Sequence, residues 1–210
     1  MITRSFKLLI KYFKFRFRSK PRGGHGIHSP FVYDFYTKCI DRKQNELIFE
    51  SIETLRQQLK KNRTLVSKAV FGADTNNSSF RTISNIINKS SISPHMGRLL
   101  YRIAKYLKPK SIIELGTSLG ISTMYIASGY RDAKVISIEG DENLANLASA
   151  NVNKIGLTNV SIINGDFDLQ LPSVLSNIDK PELVFIDGNH SEEATLRYFK
   201  LFSAKADNDT

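Results

Sequence analysis

Ser-Ile-Ile-Glu-Leu-Gly-Thr-Ser-Leu-Gly-Ile-Ser-Thr, residues 111–123, is the stretch that decides the fold class of this chain. An apolar run ends in a turn of small residues, and residues compatible with a helix follow from Ile121 to Ser128. This order predicts a buried strand, a tight glycine loop and a helix entered at its N-terminus. The free N–H groups and positive dipole end of such a helix suit a polar or carboxylate-bearing ligand.

The loop carries three residues with a predicted role at a ligand site. Gly116 and Gly120 remove the Cβ atoms that would hold a ligand off the backbone. Glu114 lies at the carboxyl end of the strand, where open α/β sheets bind small molecules. The spacing Glu-x-Gly-x-x-x-Gly differs from the Gly-x-Gly-x-x-Gly of a dinucleotide site, which argues against a nicotinamide-dependent enzyme.

From Lys110 onward the sequence alternates between strand and helix patterns. The predicted strands cover 111–115, 134–139, 160–163 and 182–187, and the predicted helices cover about 120–129, 142–155, 168–176 and 191–203. Alternation of this kind predicts an α/β fold with a parallel sheet and helices on both faces.

The net charge of +10 is concentrated at the N-terminus. Residues 1–33 carry no acidic residue and eight basic ones: Arg4, Lys7, Lys11, Lys14, Arg16, Arg18, Lys20 and Arg22. The remainder has 22 basic against 20 acidic residues, so the basicity belongs to an arm and not to the domain. The single cysteine, Cys39, excludes an intramolecular disulfide and favours a reducing, cytoplasmic compartment.

The arm is predicted to form a basic amphipathic helix over residues 1–22. At about 100° per residue, its basic side chains fall on one side of the helix and its Ile, Leu and Phe side chains on the other. Lysines interrupt every apolar run, which excludes a transmembrane span, and no signal-peptide pattern follows. Three alternatives remain open: an anchor on anionic lipid at the inner membrane face through residues 1–20, a helix packed on the domain, and a nucleic-acid contact, which no known motif supports.

Residues 23–108 are predicted to form a loop followed by helices. The stretch Gly24-His25-Gly26-Ile27-His28-Ser29-Pro30-Phe31 is interpreted as a structural loop, since its histidines have no Cys or carboxylate partner at metal-ligand spacing. Val32 to Lys108 is expected to be helical, with Ser78 or Ser79 capping a short helix. Ser93-Pro94 predicts the start of the helix that precedes the first strand.

Further polar residues follow the second, third and fourth predicted strands. Glu139 ends the second strand and can accept the hydroxyl protons of a ribose. Asn164-Gly165-Asp166-Phe167 ends the third, and Asp187-Gly188-Asn189-His190 ends the fourth. Together with the glycine loop, these motifs resemble the class I S-adenosylmethionine-dependent methyltransferases, and most closely the small O-methyltransferase branch that includes catechol O-methyltransferase.

The resemblance implies a Rossmann-like methyltransferase sheet and a cofactor site for S-adenosylmethionine. In that branch the acidic residue matched by Asp166 hydrogen-bonds the adenine amino group, and the apolar residue matched by Phe167 packs on the ring. The cofactor-binding residues implied in this way, together with those argued above, are Glu114, Gly116, Thr117, Ser118, Gly120, Ser122, Glu139, Gly140, Asp166 and Phe167.

The resemblance also implies a reaction, methyl transfer to a hydroxyl of a small-molecule acceptor. Asp187 matches an aspartate that helps to bind a divalent cation and to position the acceptor. The lysine that commonly follows it as general base is absent, and His190 is the candidate base instead.

A complete domain of this branch continues beyond four strands, in the sheet order 3-2-1-4-5-7-6, whereas this sequence supplies the order 3-2-1-4. The expectation is a partial, C-terminally truncated domain over residues 109–210 that lacks strands 5–7. Such a domain could still hold the cofactor, but its metal site would be incomplete and it could be inactive. Its open sheet edge could promote self-association. A non-enzymatic membrane-surface or interaction module is the alternative function.

Overall fold

The computed structural model of the protein describes residues 4–18, 27–42, 44–67 and 80–207. The chain divides into two compact units, Met1–Lys43 and Gln44–Thr210. The larger unit contains the sheet, and the site described below lies entirely within it.

The first unit is helical where the structure describes it. Helix α1 spans Arg4–Arg18, α2 spans Pro30–Phe35, and a π-helical turn over Tyr36–Ile40 follows directly. Ser29 caps α2 by accepting a hydrogen bond from the N–H of Val32. Helix α2 therefore begins inside the predicted loop, whose residues 24–26 lie outside the described part of the chain.

The basic amphipathic pattern of the arm coincides with α1. The described apolar side chains of this helix are exposed, with 52% of Phe6 and 50% of Phe13 open to solvent. None of the helices in the described part of the chain is long and apolar enough to cross a membrane.

The second unit opens with elements that precede the main sheet. These are α3 (Leu47–Lys61), β1 (Leu65–Ser67), β2 (Phe80–Thr82), α4 (Ile83–Ser90) and α5 (Pro94–Leu107). The predicted start of α5 is confirmed, since Ser93 Oγ accepts from the N–H of Met96 and Pro94 occupies the first turn.

Two expectations for this region are wrong. Strands β1 and β2 pair antiparallel where only helix was expected, because runs of three residues are too short to show a period. Thr82, and not Ser78 or Ser79, caps α4, and its Oγ1 accepts from the N–H of Asn85. Ser78 and Ser79 lie outside the described residues.

Strands and helices alternate in the rest of the chain, as the sequence predicts. The strands are β3 (Ser111–Leu115), β4 (Lys134–Glu139), β5 (Val160–Asn164) and β6 (Leu183–Ile186). The helices are α6 (Ile121–Gly129), α7 (Glu142–Lys154), α8 (Phe167–Ser176) and α9 (Glu192–Ser203).

The four strands form one parallel sheet in the order β5-β4-β3-β6. This confirms the predicted order 3-2-1-4. The chain moves from β3 through β4 to β5 and then returns to the other side of β3, so the order reverses between β3 and β6. In open α/β sheets the crevice at such a reversal is where ligands bind.

Both faces of the sheet are covered, as parallel sheets require. On one face Ile112 and Val135 pack in a core that also contains buried residues of α3, α4, α5, α6 and α7. On the other face Ile113 and Ile136 pack against α8 and α9. The helix that connects β5 to β6 therefore lies on the face opposite α6 and α7, which leaves the crevice open at the carboxyl ends of the strands.

Candidate active site

A cavity of about 500 Å³ lies at the carboxyl ends of the four parallel strands. That volume is in the range of small-molecule sites. All but two of the predicted site residues line it: Gly116, Thr117, Ser118, Ser122, Glu139, Gly140, Asp166, Phe167, Asp187 and His190. The fold therefore brings residues from the ends of four separate strands to one place.

The glycine loop follows β3 and turns directly into α6. Gly116 and Gly120 have φ values of 99° and 80°, in the left-handed region that favours glycine. Ser118 adopts the same region at φ 50°, which is uncommon for a residue with a side chain. Its backbone N–H donates a 2.7 Å hydrogen bond to Glu139 Oε2, so the strained turn serves to bring the loop onto the end of β4.

Gly120 is one of the two predicted residues that do not line the cavity. A Cβ at this position would make only an ordinary contact with Ala148 of α7 at 3.4 Å, so the positive φ and not a lack of space favours glycine here. In the structure Gly120 is the N-cap residue of α6, and it adopts the left-handed conformation there.

Glu114 is the other predicted residue outside the cavity lining, because its side chain is fully buried inside the sheet domain. Its Oε2 accepts hydrogen bonds from the hydroxyls of Thr123 and Ser137. The Ser137 hydroxyl is also hydrogen-bonded to the Thr117 hydroxyl, and Thr117 does line the cavity. Burial raises the pKa of Glu114 to about 7, against the effect of these hydroxyl donors.

The carboxylate of Glu139 is fixed at the end of β4. Its Oε2 accepts from the Ser118 N–H, and its Oε1 accepts from the Asp141 N–H at 3.0 Å. A carboxylate has about four lone-pair sites, so two such bonds leave capacity for a ligand's hydroxyl groups. Glu139 is therefore oriented before any ligand arrives.

Asp166 and Phe167 follow β5 at the start of α8. Asp166 caps this helix, with Oδ1 accepting from the N–H of Asp168 at 2.8 Å. The Phe167 ring packs edge-on against Tyr198, with 5.8 Å between ring centroids. Both residues line the cavity as well as stabilising the fold.

Asp187, Asn189 and His190 follow β6. The Asp187 N–H donates to the Leu115 carbonyl at 2.8 Å, which extends the pairing of β6 with β3 to the cavity. Burial raises the pKa of Asp187, and the nearby His190 opposes that rise. The His190 side chain is exposed to the cavity and solvent.

Several lining residues were not predicted from the sequence. Asn189 adopts φ 47° and donates through Nδ2 to the Tyr198 hydroxyl at 3.2 Å. Asp141 caps α7 by accepting from the Asn143 N–H, and it pairs with Arg81 at 3.3 Å. A helix-cap pattern could have identified Asp141, whereas no local pattern brings Arg81 or Tyr198 to the cavity.

One wall of the cavity comes from the segment that connects α4 and α5. Ser91 and Ile92 of this segment form the wall, together with Lys89 and Ser90 at the end of α4. The segment is irregular and carries no motif, so sequence reasoning missed it.

The cavity does not supply a recognisable metal site. In the described part of the chain, no group of three or more His, Cys, Asp and Glu side chains is arranged to hold a metal ion. Asp187 therefore lacks the further ligands that a divalent cation would need from these residues.

Comparison with known proteins agrees with this geometry. Residues 113–210 match a family model described as a methyltransferase domain. A catechol O-methyltransferase of Niastella koreensis is 33% identical over 102 residues, which are 47% of this chain and 46% of that protein. Residues 113–210 therefore carry a methyltransferase-like domain.

A second curated relative of the methyltransferase-like chain is a putative O-methyltransferase of Mycobacterium sp. It is 28% identical over 113 residues, which cover 51% of this chain and 49% of the relative. The chain thus spans about half the length of the curated relatives it matches.

Solved structures show the same methyltransferase fold. An O-methyltransferase from Bacillus cereus in complex with S-adenosylhomocysteine (SAH) superposes with a TM-score of 0.55 at 18% identity, covering 84% of this chain and 68% of that one. TomG from Streptomyces achromogenes, in complex with S-adenosylmethionine, gives 0.55 at 18% identity over 84% and 67%. At this level of identity the likeness concerns the fold alone.

Proposed function

We propose that the cavity binds S-adenosylmethionine and that the protein transfers its methyl group to a hydroxyl of a small-molecule acceptor. The observation that carries this proposal is the convergence of Glu139, Asp166 and Asp187, from the ends of three strands, on one cavity beside the glycine loop. The complexes of the Bacillus and Streptomyces enzymes with SAH and S-adenosylmethionine support the choice of cofactor.

The residues present fit the cofactor's chemistry. The pre-oriented Glu139 carboxylate would accept the two ribose hydroxyls. Asp166 would accept from the adenine amino group, and the Phe167 ring would pack on the adenine. The loop from Gly116 to Ser118 would accommodate the amino-acid part, since it presents backbone atoms and small side chains to the cavity.

Asp187 and His190 would form the acceptor side. When bound, the cofactor supplies an electrophilic methyl group on its sulfonium. His190 would take the proton of the attacking hydroxyl, a task for which imidazole is suited near neutral pH. Asp187 would stabilise the resulting imidazolium by its charge. The remaining contribution of the site is alignment of the reacting groups.

The described residues do not form a site for a divalent cation. Asp187 is the residue that would contribute to such a site, but the described residues supply no set of three ligands around it. We therefore derive no step through a metal.

Two measurements test the proposal. Calorimetry should show SAH binding to the purified protein, and a methyl-transfer assay should show turnover with a catechol, the acceptor class named for the Niastella relative. Binding of NAD in place of SAH would overturn the cofactor assignment. Binding of SAH without transfer to any hydroxyl acceptor would overturn the reaction but leave the cofactor site intact.

A second role is favoured by one specific observation, the exposure of the apolar side chains of α1. Phe6, Leu9, Ile10 and Phe13 share one side of this helix and are all exposed, while Lys11 and Lys14 lie on the other side. An amphipathic helix without acidic residues suits the surface of an anionic membrane, in which aromatic side chains bury and lysines pair with lipid headgroups. We propose peripheral attachment of this kind alongside the enzymatic role.

A further inference from the structure

A buried polar network connects α3 to the cavity wall formed by Ser90, Ser91 and Ile92. Its centre is Arg56, whose side chain is almost completely buried and which is 3% exposed as a residue. Arg56 lies within an otherwise apolar stripe of α3 whose members are Phe49, Ile52, Leu55 and Leu59. An arginine at such a position is costly unless its donors are used.

One donor group of Arg56 is directed at the wall, whereas its Nη2 has no hydrogen-bond partner among the described residues. A single guanidinium nitrogen, Nη1, donates to Ser91 Oγ and to the Ile92 carbonyl oxygen, both at 2.7 Å. Both acceptors belong to residues that line the cavity. The segment has no regular secondary structure, so the bonds from Arg56 take the place of a helix or sheet ladder in fixing its course.

The other end of the network reaches α6, whose first residues form another wall of the cavity. Arg56 Nε donates to Glu53 Oε1 at 3.0 Å, and the same oxygen accepts from the Tyr125 hydroxyl at 2.8 Å. Tyr125 is buried in α6, the helix whose first residues, Ile121 and Ser122, line the cavity. The chain of bonds from Ser91 through Arg56 and Glu53 to Tyr125 therefore connects two walls of one site.

Stability alone is a weak reason for such an arrangement. Replacing a buried ion pair by apolar side chains of similar volume is often neutral or stabilising. The stripe of α3 could accept an apolar residue at position 56 for the same reason. What an apolar residue could not do is hold the hydroxyl of Ser91 and the carbonyl of Ile92.

We infer that Arg56 is a positioning residue for cofactor binding, which acts by fixing the Ser90–Ile92 wall relative to α6. This inference rests on the proposed function, since the ligand it concerns is S-adenosylmethionine or its product SAH. Arg56 does not line the cavity and makes no contact with the ligand itself.

The test measures SAH affinity by calorimetry and thermal unfolding in parallel for three variants. Arg56→Met removes both bonds to the wall, and Ser91→Ala removes one of them. Lys105→Met is the matched control, because the 2.8 Å ion pair of Lys105 with Glu46 links α5 to the residue that precedes α3 without contacting the wall.

Arg56→Met should weaken SAH binding about tenfold, the scale expected for losing charged hydrogen bonds. Ser91→Ala should weaken it less, and the double variant should bind no more weakly than Arg56→Met alone, because the bond that Ser91→Ala removes is one of the two that Arg56→Met already removes. Lys105→Met should bind SAH like the unaltered protein, even where its melting temperature falls. If Arg56→Met does not fold, Ser91→Ala against Lys105→Met decides the question.

Wild-type affinity in folded Arg56→Met, or in Ser91→Ala where Arg56→Met does not fold, would overturn the inference. Additive losses in the double variant would do the same. Absence of SAH binding by the unaltered protein would instead overturn the proposed function, so the two failures are distinguishable.

Discussion

Gly116 and Asp187 approach each other where the order of strands reverses, and a Cβ on Gly116 would lie 2.5 Å from the Asp187 carbonyl oxygen. In the proposed function, the cofactor side of the cavity would begin at Gly116 and the acceptor side at Asp187. Their backbones are in such close contact that no side chain can separate the two halves of the site.

Gly116→Ala should therefore destabilise the protein and abolish SAH binding. The substitution places a Cβ against backbone atoms and forces an alanine to φ 99°, which together cost about 2 kcal/mol or more. Thermal unfolding and calorimetry measure the two effects. Gly156→Ala is the control, because Gly156 also has positive φ but a Cβ there would meet nothing within 4 Å. Equal losses in both variants would attribute the effect to backbone strain and not to the contact with Asp187.

Glu139→Ala should weaken SAH binding by about 1–3 kcal/mol, the range for losing hydrogen bonds to a charged group. Because Glu139 also accepts from the Ser118 and Asp141 N–H groups, Glu139→Gln is the informative partner. The amide keeps the shape and one acceptor, so it should retain more affinity than alanine. Unchanged affinity in the folded alanine variant would remove Glu139 from the site.

Stability should fall as pH rises through 7 because of Glu114. Its pKa is about 7 in the folded state against an ordinary value of 4.5, so between these two pH values the folded protein holds a proton that the unfolded chain has released. The contribution is fully present below about pH 4.5 and is lost above pH 7. At about 1.4 kcal/mol per pKa unit the loss is about 3 kcal/mol.

Chemical unfolding at pH 5.5 and 8.5 measures the larger part of this loss, about 2 kcal/mol, because the fall between pH 4.5 and 5.5 lies outside that range. Glu114→Gln should remove most of the difference between the two pH values, since the amide cannot ionise. A variant that keeps the full pH dependence would show that another group is responsible.

His190→Gln should reduce kcat by about a hundredfold or more if His190 is the general base. SAH affinity should stay unchanged, because His190 belongs to the acceptor side. A rate that survives in the variant would assign proton removal to another group.

Attachment of α1 to membranes should depend on both sides of the helix. Sedimentation with anionic vesicles should fall when Phe6 and Phe13 are changed to serine, and also when salt is raised, because screening weakens the attraction of the lysines to the lipid. Neutral vesicles serve as the control surface. Equal sedimentation of the serine variant and the unaltered protein would rule out burial of the phenylalanines.

The parallel sheet could be predicted because each strand and helix shows its own period in the sequence. The strand over 111–115 and its neighbour over 134–139 were predicted with the bounds that the structure has. The pairing of β1 with β2 could not be predicted from the sequence. Three residues per strand show no period, and the paired residues are distant in sequence.

The residues of the candidate site, like the elements of the fold, could be predicted from the sequence only in part. Residues such as Glu139 and Asp187 follow strands directly, so their place at the sheet's edge is implied by chain order. Arg81 and Tyr198 reach the cavity only through tertiary packing, and Arg56 acts from a stripe that otherwise has the pattern of a buried helix face. Glu114 shows the opposite case, a residue in the expected place whose side chain turns into the protein interior.

Phe167 and Gly188 lie in contact, so that a Cβ on Gly188 would stand 2.7 Å from the Phe167 ring. A methyl group at 188 must displace the ring, and a smaller side chain at 167 would leave space above the glycine. The two positions should therefore change together among relatives. An engineer who grafts a new acceptor loop after β6 must redesign the adenine side in the same step.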